Sequence, residues 1–210
     1  MNTATQQLRL TGGAGVVEAL LDEPEGAMQL QGTVVISHPH PLFGGTMQNK
    51  VVQTLARSFV QCGWRAIRFN FRGVGASAGA YDEGRAEVLD LLQVIEQVAP
   101  SEHPLALAGF SFGAFVTSHA LAQLWPTRAV QKVVLVGTAA SRFVVAPLPP
   151  QAHEASLVIH GEQDDTVPLQ SVLDWARPQS LPVTVIPGVE HFFHGQLPLL
   201  KALVMRHVRA

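Results

Sequence analysis

The chain has 210 residues, of which 47% are hydrophobic and 14% charged, and its formal net charge is −2 at neutral pH. This length and apolar content predict one folded domain over residues 1–210 and exclude an intrinsically disordered chain. The near-neutral charge and the lack of a basic cluster argue against nucleic acid as a partner.

The sequence also carries indications of where the protein resides. Cys62 is the single cysteine, so an internal disulfide is impossible and a reducing compartment is indicated. Residues 1–7 are polar and lack a basic region followed by an apolar core, so we expect no signal peptide. No apolar run reaches the roughly 18 residues that would span a membrane. We therefore expect a cytoplasmic protein with no membrane partner.

The predicted elements alternate between apolar strands and helices. Residues 7–11 and 16–21 are typical of an antiparallel hairpin at a sheet edge. Further strands are predicted at 33–37, 64–71, 105–110, 132–137, 156–160 and 183–186, and helices at 47–61 with Thr46 as its cap, 85–98, 114–125, 169–177 and 197–208. This alternation predicts an α/β fold with a mostly parallel sheet and helices on both faces. In such sheets, functional residues collect beyond the carboxyl ends of the strands.

Residues Gly109-Phe110-Ser111-Phe112-Gly113 have the form Gly-x-Ser-x-Gly, between a predicted strand and a predicted helix. A serine at such a turn adopts a strained backbone conformation that exposes its hydroxyl. A Cβ at either glycine would collide with the neighbouring strand or helix. The pattern predicts a nucleophilic Ser111, with the Phe112 N–H at a helix N-terminus, where it can meet negative charge.

A serine hydroxyl becomes a good nucleophile only when an imidazole removes its proton. Nine histidines are present, and His191 follows the last predicted strand at the carboxyl edge, which makes it the preferred base. His194 is the nearest competitor, and His38 and His40 follow an earlier strand. The other candidates are His119 within the helix after the serine, and three expected surface residues, His103, His153 and His207.

The base needs a carboxylate that orients it. Residues 160–168 follow a strand and contain three acids, Glu162, Asp164 and Asp165. Because Asp164 and Asp165 are adjacent, we expect only one of them to point inward. The alternative is a solvated acidic turn before a helix, with Pro168 as the first helical residue.

Together, these patterns resemble the α/β-hydrolases, and in particular the small lidless serine hydrolases related to dienelactone hydrolases and carboxylesterases. The motifs span nearly the whole chain and lie at 38–47, 70–77, 109–113, 160–164 and 191–193. The resemblance implies Asp164 as the acid, at the fifth position of His-Gly-x-x-Asp, and His191 as the base, before two phenylalanines. The order Ser111, Asp164, His191 is also that of the α/β-hydrolase plan. Dienelactone hydrolases proper use a cysteine where this chain has Ser111.

An oxyanion hole is expected from the Phe112 N–H and one N–H of the loop 38–45. Pro39 and Pro41 have no N–H, so we expect Leu42 as the second donor, with His40 as the alternative. The short stretch between the strands at 132–137 and 156–160 leaves no room for a helical lid. We therefore expect an open cleft, with substrate contacts from His40 and with walls from Phe43, Phe112, Phe192 and Phe193.

The sequence fits three other functional classes less well than a hydrolase. The glycine-rich turn 73–79 does not lead directly into a helix, as a dinucleotide-binding turn would, and Arg72 beside it is expected to form an ion pair. His38 and His40 have the spacing of some metal ligands, but no further ligands lie near them in the sequence. A binding module on this fold would be expected to lack a triad member, whereas all three are present.

The sequence thus predicts a serine hydrolase that cleaves small-molecule carboxylic esters, with Ser111, His191 and Asp164 as the triad. We expect no cofactor and no metal. Thioesterase, peptidase and acyltransferase activities stay open, because they use the same triad. The oligomeric state also stays open.

Overall fold

The computed structural model describes residues 5–24, 26, 29–125 and 127–210. In this part of the chain, eight strands form one sheet in the order β1-β2-β4-β3-β5-β6-β7-β8. The strands are β1 (Gln6–Gly12), β2 (Gly15–Asp22), β3 (Gly32–Ser37), β4 (Trp64–Phe69), β5 (Leu105–Phe110), β6 (Lys132–Val136), β7 (Ser156–Gly161) and β8 (Val183–Ile186).

The sheet is antiparallel at one edge and parallel elsewhere. The β1–β2 hairpin pairs through β2 with β4 in antiparallel register, as the sequence predicts. All pairs from β4 to β8 are parallel. Because parallel strands end at the same edge, the loops after β3, β5, β6, β7 and β8 meet there.

Helices cover both faces, which confirms the predicted α/β architecture. They are α1 (Lys50–Val60), α2 (Arg85–Val98), α3 (Phe112–Leu124), α4 (Leu169–Ala176) and α5 (Leu197–Arg209). One apolar core lies between the sheet and α2, α3 and α4, and the other between the sheet and α1 and α5. Strands such as β3 and β5 are buried along their whole length, as expected of strands covered on both sides.

Two predicted boundaries near the carboxyl edge are wrong. Helix α1 begins at Lys50 and not at residue 47, because Asn49 is its cap and accepts from the N–H groups of Val51 and Val52. Strand β4 ends at Phe69 and not at residue 71, and the Phe71 N–H donates to the His38 ring instead of to a neighbouring strand.

Hydrogen bonds to β2 and α2 hold the glycine-rich loop after β4 in place. Arg72 forms the expected ion pair, with two hydrogen bonds of 2.8 Å to Asp90. The Ala76 N–H and the Asn70 amide both donate to the carboxylate of Glu18 on β2. Helix α2 begins only at Arg85, so the loop lacks the direct entry into a helix that a dinucleotide-binding turn requires.

The segment 137–155 between β6 and β7 contains one short 3-10 turn, Pro150–Ala152, and no α-helix. No helical cap therefore covers the carboxyl edge from this position. Within the described ranges, none of the helices combines the length and the apolar character that crossing a bilayer would take.

Candidate active site

Ser111 lies at the turn between β5 and α3 with φ 57° and ψ −118°, an unfavourable conformation for a residue with a side chain. Its own N–H donates to the carbonyl of Val136 at 2.8 Å. A Cβ at Gly113 would lie 2.3 Å from the Ser37 carbonyl oxygen, and one at Gly109 would lie 2.5 Å from the Gly113 oxygen. Both positions therefore require glycine for the reason that the sequence predicts.

The structure brings Ser111, His191 and Asp164 together from three loops. His191 Nε2 lies 3.1 Å from Ser111 Oγ, and His191 Nδ1 lies 2.6 Å from Asp164 Oδ2. Since a carboxylate only accepts, the proton of a neutral imidazole lies on Nδ1, and Nε2 is free to accept the serine proton. All three residues are buried, so little water competes for these bonds.

The backbone of its own turn orients the Asp164 carboxylate. Its Oδ1 accepts from the N–H groups of Thr166 at 3.0 Å and Val167 at 2.7 Å. This arrangement leaves Oδ2 directed at His191. The adjacent Asp165 is exposed and accepts from the Thr166 hydroxyl at 3.3 Å. The geometry therefore distinguishes Asp164 from Asp165, which residue type and spacing alone leave equivalent.

The competing acid and base are engaged elsewhere. Glu162 accepts from the Gly188 N–H at 2.9 Å. His194 is exposed and pairs with Glu190 at 3.0 Å. His119 is bonded to the carbonyl of Val144. Of the three histidines expected on the surface, His103 is exposed, whereas His153 and His207 are half-buried and bonded to the carbonyls of Leu148 and Ala155.

A second buried histidine lies beside the carboxylate, and the sequence reasoning assigned it no role. His160, at the end of β7, has its Nε2 2.8 Å from the carbonyl of Val167 and 3.4 Å from Asp164 Oδ2. Burial is the main cause that lowers the pKa of His160, so its ring is neutral and Nε2 carries the proton that Val167 accepts. Its place at the start of His-Gly-x-x-Asp is the signal that could have identified it.

The loop after β3 is held by His38, which is fully buried. Its Nδ1 lies 2.6 Å from the Pro39 carbonyl, and its Nε2 accepts from the Phe71 N–H at 3.0 Å. Burial lowers the pKa of His38 to about 4, which keeps the ring neutral with its proton on Nδ1. Both ring nitrogens are therefore occupied, and those of His40 are bonded to Leu42 and Tyr81, which leaves the His-x-His pair no free nitrogen for a metal.

The expected oxyanion donor Leu42 is placed unfavourably. Its N–H donates to Nδ1 of His40 at 3.2 Å, and its side chain is 67% exposed. Leu42 does not line the cavity above Ser111, whereas His40 and Phe112 do. Within the described residues, the N–H groups of His40 and Phe112 have no protein acceptor. The geometry therefore favours His40, the alternative donor, over Leu42.

The Ser111 cavity has a volume of about 350 Å³. Among the expected contacts, His40, Phe43, Phe112 and Phe192 line it, and Phe43 is 73% exposed at its rim. Phe193 is not a wall, because its side chain is fully buried in the core under α1 and α5. The remaining lining comes from Pro39, Gly44, Gly45, Asn49, Ala139, Arg142, Phe143, Thr166, Val167 and His191.

Arg142 and Phe143 are lining residues that the sequence reasoning missed. They belong to the irregular segment after β6, where no periodicity indicates which side chains face inward. The His40 ring packs against Phe143 and three other aromatic rings, those of Phe43, Tyr81 and Phe112. An aromatic wall therefore continues from the serine towards Arg142.

Known proteins share this sequence pattern and this fold. A family model described as serine aminopeptidase, S33, matches residues 28–158. The crystal structure of an α/β serine hydrolase without a lid from Xanthomonas campestris has 35% identity and a TM-score of 0.87, covering 100% of this chain and 95% of that one. An α/β serine hydrolase homologue from Coxiella burnetii has 37% identity and a TM-score of 0.78, covering 96% of both chains. An uncharacterized protein of Rickettsia prowazekii is 31% identical over 179 residues, which are 76% of this chain and 71% of that protein.

Proposed function

Because the chain belongs to the α/β-hydrolase superfamily, in the family described as serine aminopeptidase, S33, we propose that it is a serine hydrolase of carboxylic esters. The observation that carries the proposal is the continuous contact from Ser111 Oγ through His191 to Asp164, at 3.1 and 2.6 Å. In this proposal the substrate is a small-molecule ester, and no cofactor takes part.

In the first half-reaction, Ser111 Oγ attacks the ester carbonyl while His191 Nε2 takes its proton. Asp164 stabilises the imidazolium through the Nδ1–H bond. The tetrahedral oxyanion accepts from the N–H groups of Phe112 and His40, and the loss of one such donor typically lowers kcat by about 10²–10³. The imidazolium returns the proton to the leaving alcohol, which leaves an acyl group on Ser111.

In the second half-reaction, water enters the cavity and attacks the acyl-enzyme. His191 takes a proton from the water, and the collapse of the second tetrahedral intermediate releases the acid and restores the Ser111 hydroxyl. The exposed rim at Phe43 supports water as the acceptor, because the acyl group would lie in an open cleft. Thioesters would follow the same steps, and an acyltransferase would replace the water by another acceptor.

The charge of the cavity supports an ester over an aminopeptidase substrate. An aminopeptidase must bind the cationic amino terminus of a peptide, and carboxylates are the usual partners of an ammonium group. Among the described residues that line the Ser111 cavity there is no aspartate or glutamate, and the permanently charged group is the cation of Arg142.

Labelling with a fluorophosphonate tests the proposal. We expect the wild type to be labelled, Ser111→Ala to be unlabelled with kcat on p-nitrophenyl esters about 10⁶-fold lower, and His191→Ala to be strongly impaired. His194→Ala is the matched control and should react as the wild type does. An absence of labelling in folded wild-type protein would refute the proposal in favour of a binding module. Alanine p-nitroanilide and an added alcohol acceptor test the peptidase and acyltransferase alternatives in the same assay.

We place this activity in the cytoplasm as part of the proposal. The support is the single cysteine, Cys62, which is a free thiol and suits a reducing compartment. Immunodetection in fractionated cells that express the native chain would test this location.

A further inference from the structure

Among the described residues that line the Ser111 cavity, Arg142 carries the one permanent charge. Other arginines pair with carboxylates, namely Arg65, Arg68, Arg72, Arg85 and Arg177. In the part of the chain that the structure describes, Arg142 has no such ion pair. Its charge therefore lacks an internal partner.

Contacts hold the Arg142 guanidinium at the rim of the cavity. Its central carbon lies 5.6 Å from the centroid of the exposed Phe43 ring, close enough for a cation–π interaction. Next to it, Phe143 packs against Phe112 and Phe115, with ring centroids 5.2 and 4.7 Å apart. The loop that carries Arg142 is thus anchored on α3, the helix that begins at the nucleophile.

Arg142 and the His40 ring line the same cavity. Burial and, second, the Coulomb effect of Arg142 lower the pKa of His40. On its other side, Arg142 borders a second, more open hollow of about 440 Å³, which it shares with Tyr81, Glu83, Phe115, His119, Phe143 and Val144. The acid of that hollow, Glu83, is paired with Arg85 at 3.4 Å.

We propose that Arg142 selects substrates that carry an anionic group, a carboxylate in the first instance, in addition to the ester that Ser111 attacks. This inference rests on the proposed esterase function and specifies its substrate class. A guanidinium presents a planar fork of N–H donors that matches a carboxylate and binds it more strongly than a neutral group. The aromatic side chains between Ser111 and Arg142 would contact the apolar part of such a molecule.

The anionic group that Arg142 binds does not change the hydrolysis reaction itself. Hydrolysis breaks the acyl–oxygen bond of the ester, and water supplies the hydroxyl of the acid and the proton of the alcohol. The second anionic group passes from substrate to product without reacting. Its role is to orient the ester towards Ser111 Oγ, which makes Arg142 a specificity-determining residue.

Pairs of esters that differ only in charge test the proposal. Mono-p-nitrophenyl adipate and p-nitrophenyl hexanoate place a carboxylate or a methyl group on the acyl side, and 4-acetoxybenzoate and 4-methylphenyl acetate do so on the alcohol side. We expect the wild type to have a higher kcat/KM for the anionic member of at least one pair, and the preferred pair identifies which side of the scissile bond faces Arg142. The preference should weaken in high salt, because salt screens charges at an exposed rim.

Two variants assign the preference to Arg142. Arg142→Gln should raise the KM for the anionic ester about ten- to a hundredfold more than the KM for the neutral ester, which is the loss expected for a hydrogen bond to a charged group. Arg142→Lys should recover part of the preference. Arg177→Gln is the matched control, because it removes the same charge from an exposed site just after α4 that does not line the Ser111 cavity.

The outcomes separate this inference from the proposed function. Suppose that both esters are cleaved and that the ratio of kcat/KM for the anionic ester to kcat/KM for the neutral ester is the same in wild type and Arg142→Gln. That result would overturn the inference and leave the proposed esterase function intact. An equal loss on neutral and anionic esters in Arg142→Gln would also overturn it, because a purely structural role predicts that result. If Ser111 is not labelled and no ester is cleaved, the proposed function fails, and this inference fails with it.

Discussion

Replacing Asp164 by asparagine tests the orientation of the candidate catalytic histidine. The wild-type carboxylate accepts two backbone N–H groups at Oδ1, at 3.0 and 2.7 Å, and the His191 Nδ1–H at Oδ2, at 2.6 Å. An asparagine has one accepting oxygen and one donating amino group. The question is therefore which of the two faces His191.

The buried backbone donors decide this orientation. Turning the asparagine amino group towards the N–H groups of Thr166 and Val167 would leave two donors unsatisfied, at about 1–3 kcal/mol each. The oxygen therefore stays at the backbone, and the amino group faces Nδ1 of His191. That nitrogen must then accept, so the proton of the neutral ring moves to Nε2, which can no longer take the proton of Ser111.

We expect Asp164→Asn to lower kcat by about 10⁴, as the same change does in other triads, which corresponds to about 5 kcal/mol of activation free energy. The assay is steady-state turnover of a p-nitrophenyl ester, together with the rate of fluorophosphonate labelling, which should fall in proportion. Asp165→Asn, at the adjacent exposed position, should retain activity within about twofold. A folded Asp164→Asn protein with near-normal turnover, or a collapse of activity in Asp165→Asn alone, would refute the reasoning.

Three further predictions concern the fold around the site. Gly113→Ala should destabilise the chain by about 1–3 kcal/mol in urea unfolding and slow fluorophosphonate labelling, because its Cβ would lie 2.3 Å from the Ser37 oxygen; unchanged values would contradict the close approach. Since burial lowers the pKa of His38 to about 4, the unfolded chain binds its proton first, and the free energy of unfolding should fall by about 3 kcal/mol as the pH drops from 6.5 to 4. His38→Asn should flatten this pH dependence, and an equally steep one would remove His38 as its cause. Asp90→Ala should cost about 3 kcal/mol in the same unfolding assay, because it leaves the half-buried Arg72 guanidinium without its partner. Asp174→Ala, in the exposed pair with Arg177, should cost about 1 kcal/mol or less.

The sheet and the turn at Ser111 could be predicted because short-range rules specify them. Apolar strands that are covered on both faces read as continuous apolar runs, and this pattern located β3, β5, β6 and β7 closely. The glycine at 109 follows from a steric limit within five residues of backbone, because its Cβ would meet the Gly113 oxygen. The glycine at 113 makes room for Ser37 on β3, so the Gly-x-Ser-x-Gly pattern indicates it although the colliding atom lies far along the chain.

The boundaries next to the site were harder to predict because distant partners set them. Residue 47 lies outside helix α1, which Asn49 caps, and its N–H bonds instead to the side chain of Asn70, 23 positions away. Strand β4 stops early because His38, 33 positions before Phe71, takes the N–H of that residue. A local pattern contains no signal for such bonds.

The amino-acid sequence by itself determined the α/β architecture, the serine at the strand-to-helix turn and the identity of the loops that meet around it. Only the tertiary structure decided which side chains in those loops face inward. In the structure Asp164, and not Asp165, contacts His191, and the Leu42 N–H donates to the His40 ring. Phe193 is buried in the core, and Arg142 lines the cavity. The physical reason is that a loop has no repeating period, so the direction of each of its side chains depends on contacts with residues far along the chain.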